Sequence, residues 1–280
     1  MRNSIIACSF LLLLVHSCNP NTKSSETAWS DLFNAQNLQG WDTYIGPLYN
    51  TDSSDYVGQP MGLNNDPNKV FSVVQVDGQS AIRISGENFG GVSTTKEFEN
   101  YHLQLQFKWG ELKHVPRDQQ KRDSGLLYHA VGPHGADFNF WMRSQEMQIQ
   151  EGDCGDYWGV AGGAFQVPVI KEGENYIYSP KGEMLNFNET SEFGRRVIKS
   201  PDNENPYGEW NTVDLYCFGD TAVHVINGKV NMILYHSSQL EGDELKPLTK
   251  GKIQIQSEGA EIFYRNIKMK PIASLPKEFN

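Results

Sequence analysis

The chain predicts an all-β fold, a two-sheet antiparallel sandwich or jelly roll, on three observations. Runs of strict two-residue alternation recur along it, turn residues separate them, and no apolar stripe of helical period persists over a dozen residues. Strand upon strand with no crossover helix leaves two stacked sheets as the arrangement that buries one face of each.

The first residues read as an export signal rather than as part of that fold. Arg2 precedes an apolar run over residues 5–15, too short to span a bilayer as a helix, and Cys18 follows directly after a small residue. This is the pattern of a bacterial lipoprotein signal over residues 1–17, with Cys18 as the lipidated membrane anchor; an ordinary secretory signal is the alternative. Residues 18–28 read as a flexible polar tether. Residues 29–280 then form a single domain, held in the cell envelope at the outer membrane or in the periplasm, or else secreted.

Within the domain, residues 101–109 alternate without a fault. Tyr101, Leu103, Leu105, Phe107 and Trp109 share one face, and His102, Gln104, Gln106 and Lys108 the other. Residues 81–85 repeat the pattern briefly. Residues 213–217 and 221–226 are two further strands, and Asn227-Gly228 supplies a tight turn into residues 229–234. Residues 251–257 and 260–269 close the set. Residues 153–207 are rich in Gly, Pro and Asn, with short strand candidates such as 165–170, and read as a functional excursion with some local order. A net charge of -10 with no basic stripe argues against a nucleic-acid surface. Beyond the signal the cysteines are Cys154 and Cys217, which either pair or sit as separate buried thiols. Two cysteines cannot build a thiolate zinc site.

The stretch 144–158 carries the most chemistry. Met147 and Ile149 should point into the core, so Glu146, Gln148 and Gln150 share the opposite face. Ile253 and Ile255 likewise put Gln254 and Gln256 outward, and Gln104 and Gln106 repeat the arrangement. Amides both donate to and accept from hydroxyls, so the recurrence reads either as a plain solvated face or as the floor of a sugar-binding groove. Glu146, a carboxylate held on a central strand, leads the catalytic candidates. Strict alternation turns Glu151 away, but a bulge at Gln150 would bring it beside Glu146 as the second half of a retaining glycosidase pair. Asp153 and Asp156 either bind a divalent cation, calcium or manganese, or shape the glycine-rich turn. Tyr157 and Trp158 are candidates to stack on a sugar ring, and Arg143 and Lys108 to neutralise an oxyanion. His129 suits a base or a ligand, or a plain hydrogen bond within the sheet.

Six motifs, taken as an ordered set, resemble the 3-keto-disaccharide hydrolase domain family over about residues 29–271. They are Asp31-Leu-Phe-Asn34, Leu38-Gln-Gly-Trp41, Glu146-Met-Gln-Ile-Gln150, Gly208-Glu-Trp-Asn-Thr212, Val225-Ile-Asn-Gly228 and Arg265-Asn-Ile267. The resemblance implies a concanavalin-like jelly roll, the fold of lectins and glucanases, and an activity on glycosides oxidised at C3 in glycan breakdown. It puts Glu146 and Gln148 on the family's Glu-x-Gln strand. Many members carry Gln-Asp-His-Gly where this chain has Gln256-Ser-Glu-Gly259, so Glu258 replaces a histidine, and Gln256 and Glu258 become candidate substrate contacts. A ketone at C3 acidifies the proton at C2, so the implied chemistry is removal of that proton and loss of the C1 substituent. It would use Glu146 or His129 as base and Arg143, Lys108 or a metal at the enolate oxygen. The chain is also similar to laminarinase-type glucanases, whose Glu-x-Asp-x-x-Glu matches Glu146 to Glu151 except that Gln148 replaces the middle carboxylate. Three readings therefore stand: an enzyme acting on 3-keto-glycosides, a retaining β-glycosidase or glucanase, and a noncatalytic glycan-binding lipoprotein. Each takes an oligosaccharide or a 3-keto-glycoside as its partner.

Overall fold

The alternation over residues 101–109 becomes the long strand Tyr101–Lys113 in the interior of the larger of two stacked antiparallel sheets. The computed structural model describes residues 28–279, so the expected signal peptide and nearly all of the tether lie outside the described residues. Leu103, Leu105 and Phe107 on the apolar face have no exposed surface, and each such burial contributes about 1.5–3 kcal/mol. On one side Tyr101–Lys113 pairs with Asn211–Phe218, then come Thr221–Ile226, Lys229–Glu241 and Gly163–Glu172. On the other it pairs with Ala260–Pro271, followed by Gln79–Ile84 and Phe71–Val76. The hairpin between Thr221–Ile226 and Lys229–Glu241 turns through Asn227 (φ 51°) and Gly228 (φ 74°), the two left-handed residues that a tight two-residue loop requires.

The smaller sheet runs Arg196–Val197, Tyr157–Val160, Arg143–Gln150, Asp123–Val131, Lys252–Ser257, Gly90–Thr94, Trp41–Ile45. Its inward residues Leu126, Met147, Ile149, Ile253 and Ile255 join Leu103, Leu105 and Phe107 in one apolar core. Among the tyrosines buried in that core, the phenols of Tyr128, Tyr157 and Tyr264 each meet a polar side chain, the usual arrangement for buried hydroxyls. Tyr128 meets His224 Nε2 at 2.9 Å, Tyr157 donates to Gln145 Oε1 at 2.8 Å, and Tyr264 meets Ser124 Oγ at 2.8 Å.

The excursion at residues 153–207 is largely strand. Tyr157–Val160 and Arg196–Val197 extend the smaller sheet, while Gly163–Glu172, Asn175–Tyr178 and Glu183–Phe187 extend the larger one. Cys154 and Cys217 are both buried and both free. Among the described residues, no helix is long and apolar enough to cross a membrane.

Candidate active site

Strand parity puts Glu146 and Gln148 on the face of the smaller sheet turned away from the core. The neighbouring strand Asp123–Val131 adds Asp123, Gly125 and Leu127 to that face, with Leu127 opposite both Glu146 and Gln254 and Gly125 opposite Gln148. A side chain on Gly125 would collide with its neighbours: a Cβ there would lie 2.1 Å from Glu146 Oε1 and 2.4 Å from Gln256 Oε1. The bare glycine is what lets these two polar groups meet above the strand.

Loops raise walls around this floor and enclose a cavity of about 190 Å³, lined by Arg117, Asp123, Asp137, Trp141, Glu146, Gln148, Gln150, Trp158, Val160, Arg195, Gln256 and Glu258. Arg117 forms ion pairs with Asp123 and, at 3.4 Å, with Glu258. Gly259 (φ 82°) lets that arginine approach, since a Cβ there would sit 2.8 Å from Arg117 Cβ. Gln150 also donates to Asp123 Oδ2. Arg195 reaches Asp137 Oδ1 at 3.3 Å, and its guanidinium lies 5.6 Å over the Trp158 ring. Asp123 Oδ1, Gln148 Oε1, Gln256 Oε1 and Trp158 Nε1 are buried without a hydrogen-bond partner among the described residues. Buried polar atoms rarely go unpaired, and a ligand rich in hydroxyls would satisfy this set.

The electrostatics split the acids. Burial drives the Glu146 carboxyl well above the usual range, the charges of Asp123 and Asp137 add to this, and Arg195 opposes it. Glu258 is likewise held well up by burial and Asp123, against Arg117. Asp123 is pushed up to about 6 by burial, limited by Arg117 and the Gln150 hydrogen bond. Burial and like charge thus displace the Glu146 and Glu258 carboxyls upward, while the Arg117 ion pair and the Gln150 hydrogen bond restrain the rise at Asp123.

A family model described as the 3-keto-alpha-glucoside-1,2-lyase-like domain matches residues 28–270. The chain belongs to this family. Membership places the chain among carbohydrate-active proteins. Among solved structures it is similar to a proposed glycosyl hydrolase from Parabacteroides distasonis ATCC 8503, at 18% identity and a TM-score of 0.48, covering 88% of this chain and 100% of that one. A second proposed glycosyl hydrolase from the same organism matches at 19% identity and a TM-score of 0.46, over 87% of this chain and 94% of that one. The carbohydrate binding module CBM66 from Bacillus subtilis matches at 5% identity and a TM-score of 0.41, over 71% and 91%. No curated protein matches the chain.

Of the residues singled out in the sequence, Glu146, Gln148, Trp158, Gln256 and Glu258 line this cavity. The others are elsewhere, for identifiable reasons. Tyr157 precedes Trp158 on one strand, so parity sends its ring into the core. His129 (φ 51°) sits where the register shifts between Tyr128 and Val131; it is buried against Tyr101, and its Nδ1 lies 3.0 Å from the Leu248 carbonyl. Burial lowers its pKa to about 4. Arg143 donates to the Ala161 carbonyl at 2.7 Å and to Gln239 Oε1. No register shift is found at Gln150, and Glu151 turns to Arg122 at 3.3 Å, away from Glu146. Gln104 and Lys108 belong to the larger sheet, on its side away from the core; Gln104 donates to Asp214 and Lys108 pairs with Asp77. The glutamine floor is thus made by two strands rather than three. Asp153 meets Lys121 at 2.8 Å, and Asp156 meets Arg196 at 2.7 Å and Lys199 at 3.9 Å. Carboxylates already neutralised by lysine and arginine do not fit a calcium or manganese site. Among the described residues, no group of three His, Cys, Asp or Glu is placed to hold a metal ion.

The sequence reading missed Arg117, Asp123, Asp137, Trp141 and Arg195. For Asp123 a signal existed: Ser124, Leu126 and Tyr128 alternate inward, which leaves Asp123 and Gly125 on the Glu146 face, and a mid-strand glycine marks a close approach. The other four sit on loops, whose placement no periodicity records.

Proposed function

We propose that this domain cleaves 3-keto-glycosides by elimination across C1 and C2, followed by hydration. One observation carries the reading: buried carboxyl groups in different electrostatic surroundings, Asp123 paired with Arg117 and Glu146 facing Asp123 and Asp137, line one cavity with two arginines. Groups whose environments separate their pKa values are suited to opposite acid and base roles.

Asp123, ionised and with Oδ1 free, takes the C2 proton. The electrons of the C–H bond form the C2=C3 enolate, whose oxygen Arg195 stabilises. The enolate then collapses: C3=O re-forms, C1=C2 forms and the C1–O bond breaks as Glu146 gives its proton to the departing oxygen. Water adds to C1=C2 with its hydroxyl at C1 and a proton from Asp123 at C2, while Glu146 recovers its proton from that water. Atoms and charge balance over the cycle, and the net change is hydrolysis. Gln148 and Gln256 supply amide partners for sugar hydroxyls, and Trp158 a stacking face.

The retaining pair expected of Glu146 and Glu151 does not form, because Glu151 faces Arg122 instead. A purely binding groove has no need for acids held away from their ordinary pKa.

The test is turnover of methyl 3-keto-α-glucoside against its unoxidised parent in D₂O. The oxidised substrate should be consumed selectively, with solvent deuterium entering at C2 faster than exchange without enzyme. Asp123→Asn and Glu146→Gln should each lower turnover by about 10²-fold or more. Equal cleavage of both substrates, or a product free of enzyme-dependent C2 deuterium, would overturn the elimination route.

A further inference from the structure

A second cavity of about 580 Å³ adjoins the acid cavity and shares Trp141, Arg195 and Glu258 with it. Its remaining walls are dominated by rings. Tyr56, Phe89 and Phe140 pack against one another with centroids 4.7–5.4 Å apart, and Phe140 lies 5.5 Å from Trp141. Asp55 and Asn139, also part of this lining, are exposed to water.

Phe138 stands apart from the packed rings. It is 68% exposed, has φ 48°, and is followed by Asn139 at φ 67°. Bulky L side chains rarely adopt this left-handed backbone, and such strain persists only where its surroundings impose it. Here a closed turn imposes it: Asp137 N–H donates to the Trp141 carbonyl at 3.0 Å, and Phe140 N–H to the Asp137 carbonyl at 2.8 Å. Asp137 and Trp141 line the acid cavity, so one turn both shapes that cavity and holds a solvent-facing ring in the wall of the next. Arg195, common to both cavities, lies 5.7 Å over the Phe138 ring. The Tyr56 hydroxyl is buried without a hydrogen-bond partner among the described residues.

Since the two cavities share three residues, a substituent on a sugar in the first can extend into the second. We infer that the second cavity is a leaving-group subsite for glycosides of aromatic alcohols, with Phe138 stacking on the aglycone ring and the Tyr56 hydroxyl meeting its polar substituent. The packed rings of Tyr56, Phe89, Phe140 and Trp141 and the exposed ring of Phe138 offer an aromatic leaving group apolar contact from several sides, beside the polar Asp55 and Asn139. The inference rests on reading the acid cavity as the sugar site, and its test does not depend on turnover.

Calorimetric titration of the protein with phenyl α-D-glucoside and methyl α-D-glucoside, neither carrying a ketone, reads the subsite directly. Phenyl should bind about tenfold more tightly than methyl, the size of one aromatic contact. Phe138→Ala should abolish the preference and Phe138→Tyr retain it, with thermal midpoints unchanged because the ring is exposed. No preference for phenyl in the native protein, whether both ligands bind or neither does, overturns the subsite, as does full preference in Phe138→Ala. Tighter binding of maltose than of phenyl α-D-glucoside overturns it in favour of a sugar leaving group. An intact phenyl preference without turnover of 3-keto substrates overturns the elimination reading alone.

Discussion

Gly125→Ala separates the chemistry of the cavity from the stability of the fold. The added Cβ would lie 2.1 Å from Glu146 Oε1, 2.4 Å from Gln256 Oε1 and 2.8 Å from Gln256 Cδ. Ordinary contact needs more than 3 Å, so the Glu146 carboxyl must move by about 1 Å, a misplacement that can cost on the order of 10²-fold in rate. The colliding atoms are ends of flexible side chains rather than backbone, and Gly125 is not in the left-handed region. Replacing glycine with alanine at such a position also stiffens the unfolded chain, an effect worth about 0.4–1 kcal/mol in favour of the folded state. Thermal unfolding should therefore change by only a few degrees, while kcat/KM on a 3-keto-glucoside falls about 10²-fold. Measuring both on one preparation decides the matter. A folded Gly125→Ala enzyme with activity within about twofold of native would refute the placement of Glu146 at the centre of the chemistry.

Three further outcomes follow from the same geometry. Arg117→Met leaves the buried Asp123 without its partly exposed cation; it should cost about 3 kcal/mol in denaturant unfolding and shift the acidic limb of the activity profile, expected near pH 6 for Asp123, to higher pH. His129 is held neutral at a pKa of about 4 against an ordinary 6.5, so the folded state binds fewer protons than the unfolded one between those values and loses stability as pH falls from 6.5 towards 4. His129→Asn, which tolerates the left-handed backbone, should flatten that loss in pH-dependent unfolding, by up to about 3 kcal/mol, and leave turnover in place. Glu151→Gln and Lys108→Met should keep turnover near native in the same steady-state assay, because neither side chain lines the cavity.

Legibility in the sequence followed from periodicity. The strand Arg143–Gln150 repeats every two residues, so the outward placement of Glu146 and Gln148 and the burial of Met147 and Ile149 could be read directly, as could Gln256 beside Ile255. His129 escaped the same logic because a register shift breaks the parity at its position. Gln104 was assigned its correct side of a strand, but nothing in alternation says which of two sheets that strand joins.

By itself, then, the sequence determined the fold class, the inward and outward faces of each regular strand, and the family, since these rest on local repetition and on motifs of fixed spacing. Only the tertiary structure decided which acids share a cavity. Arg117, Asp137 and Arg195 arrive from separate loops, while Asp123 begins one strand and Glu258 follows the strand Lys252–Ser257 paired with it. Their proton affinities arise from burial and from charges distant in sequence, quantities that exist only once the two sheets and their loops have closed around Glu146.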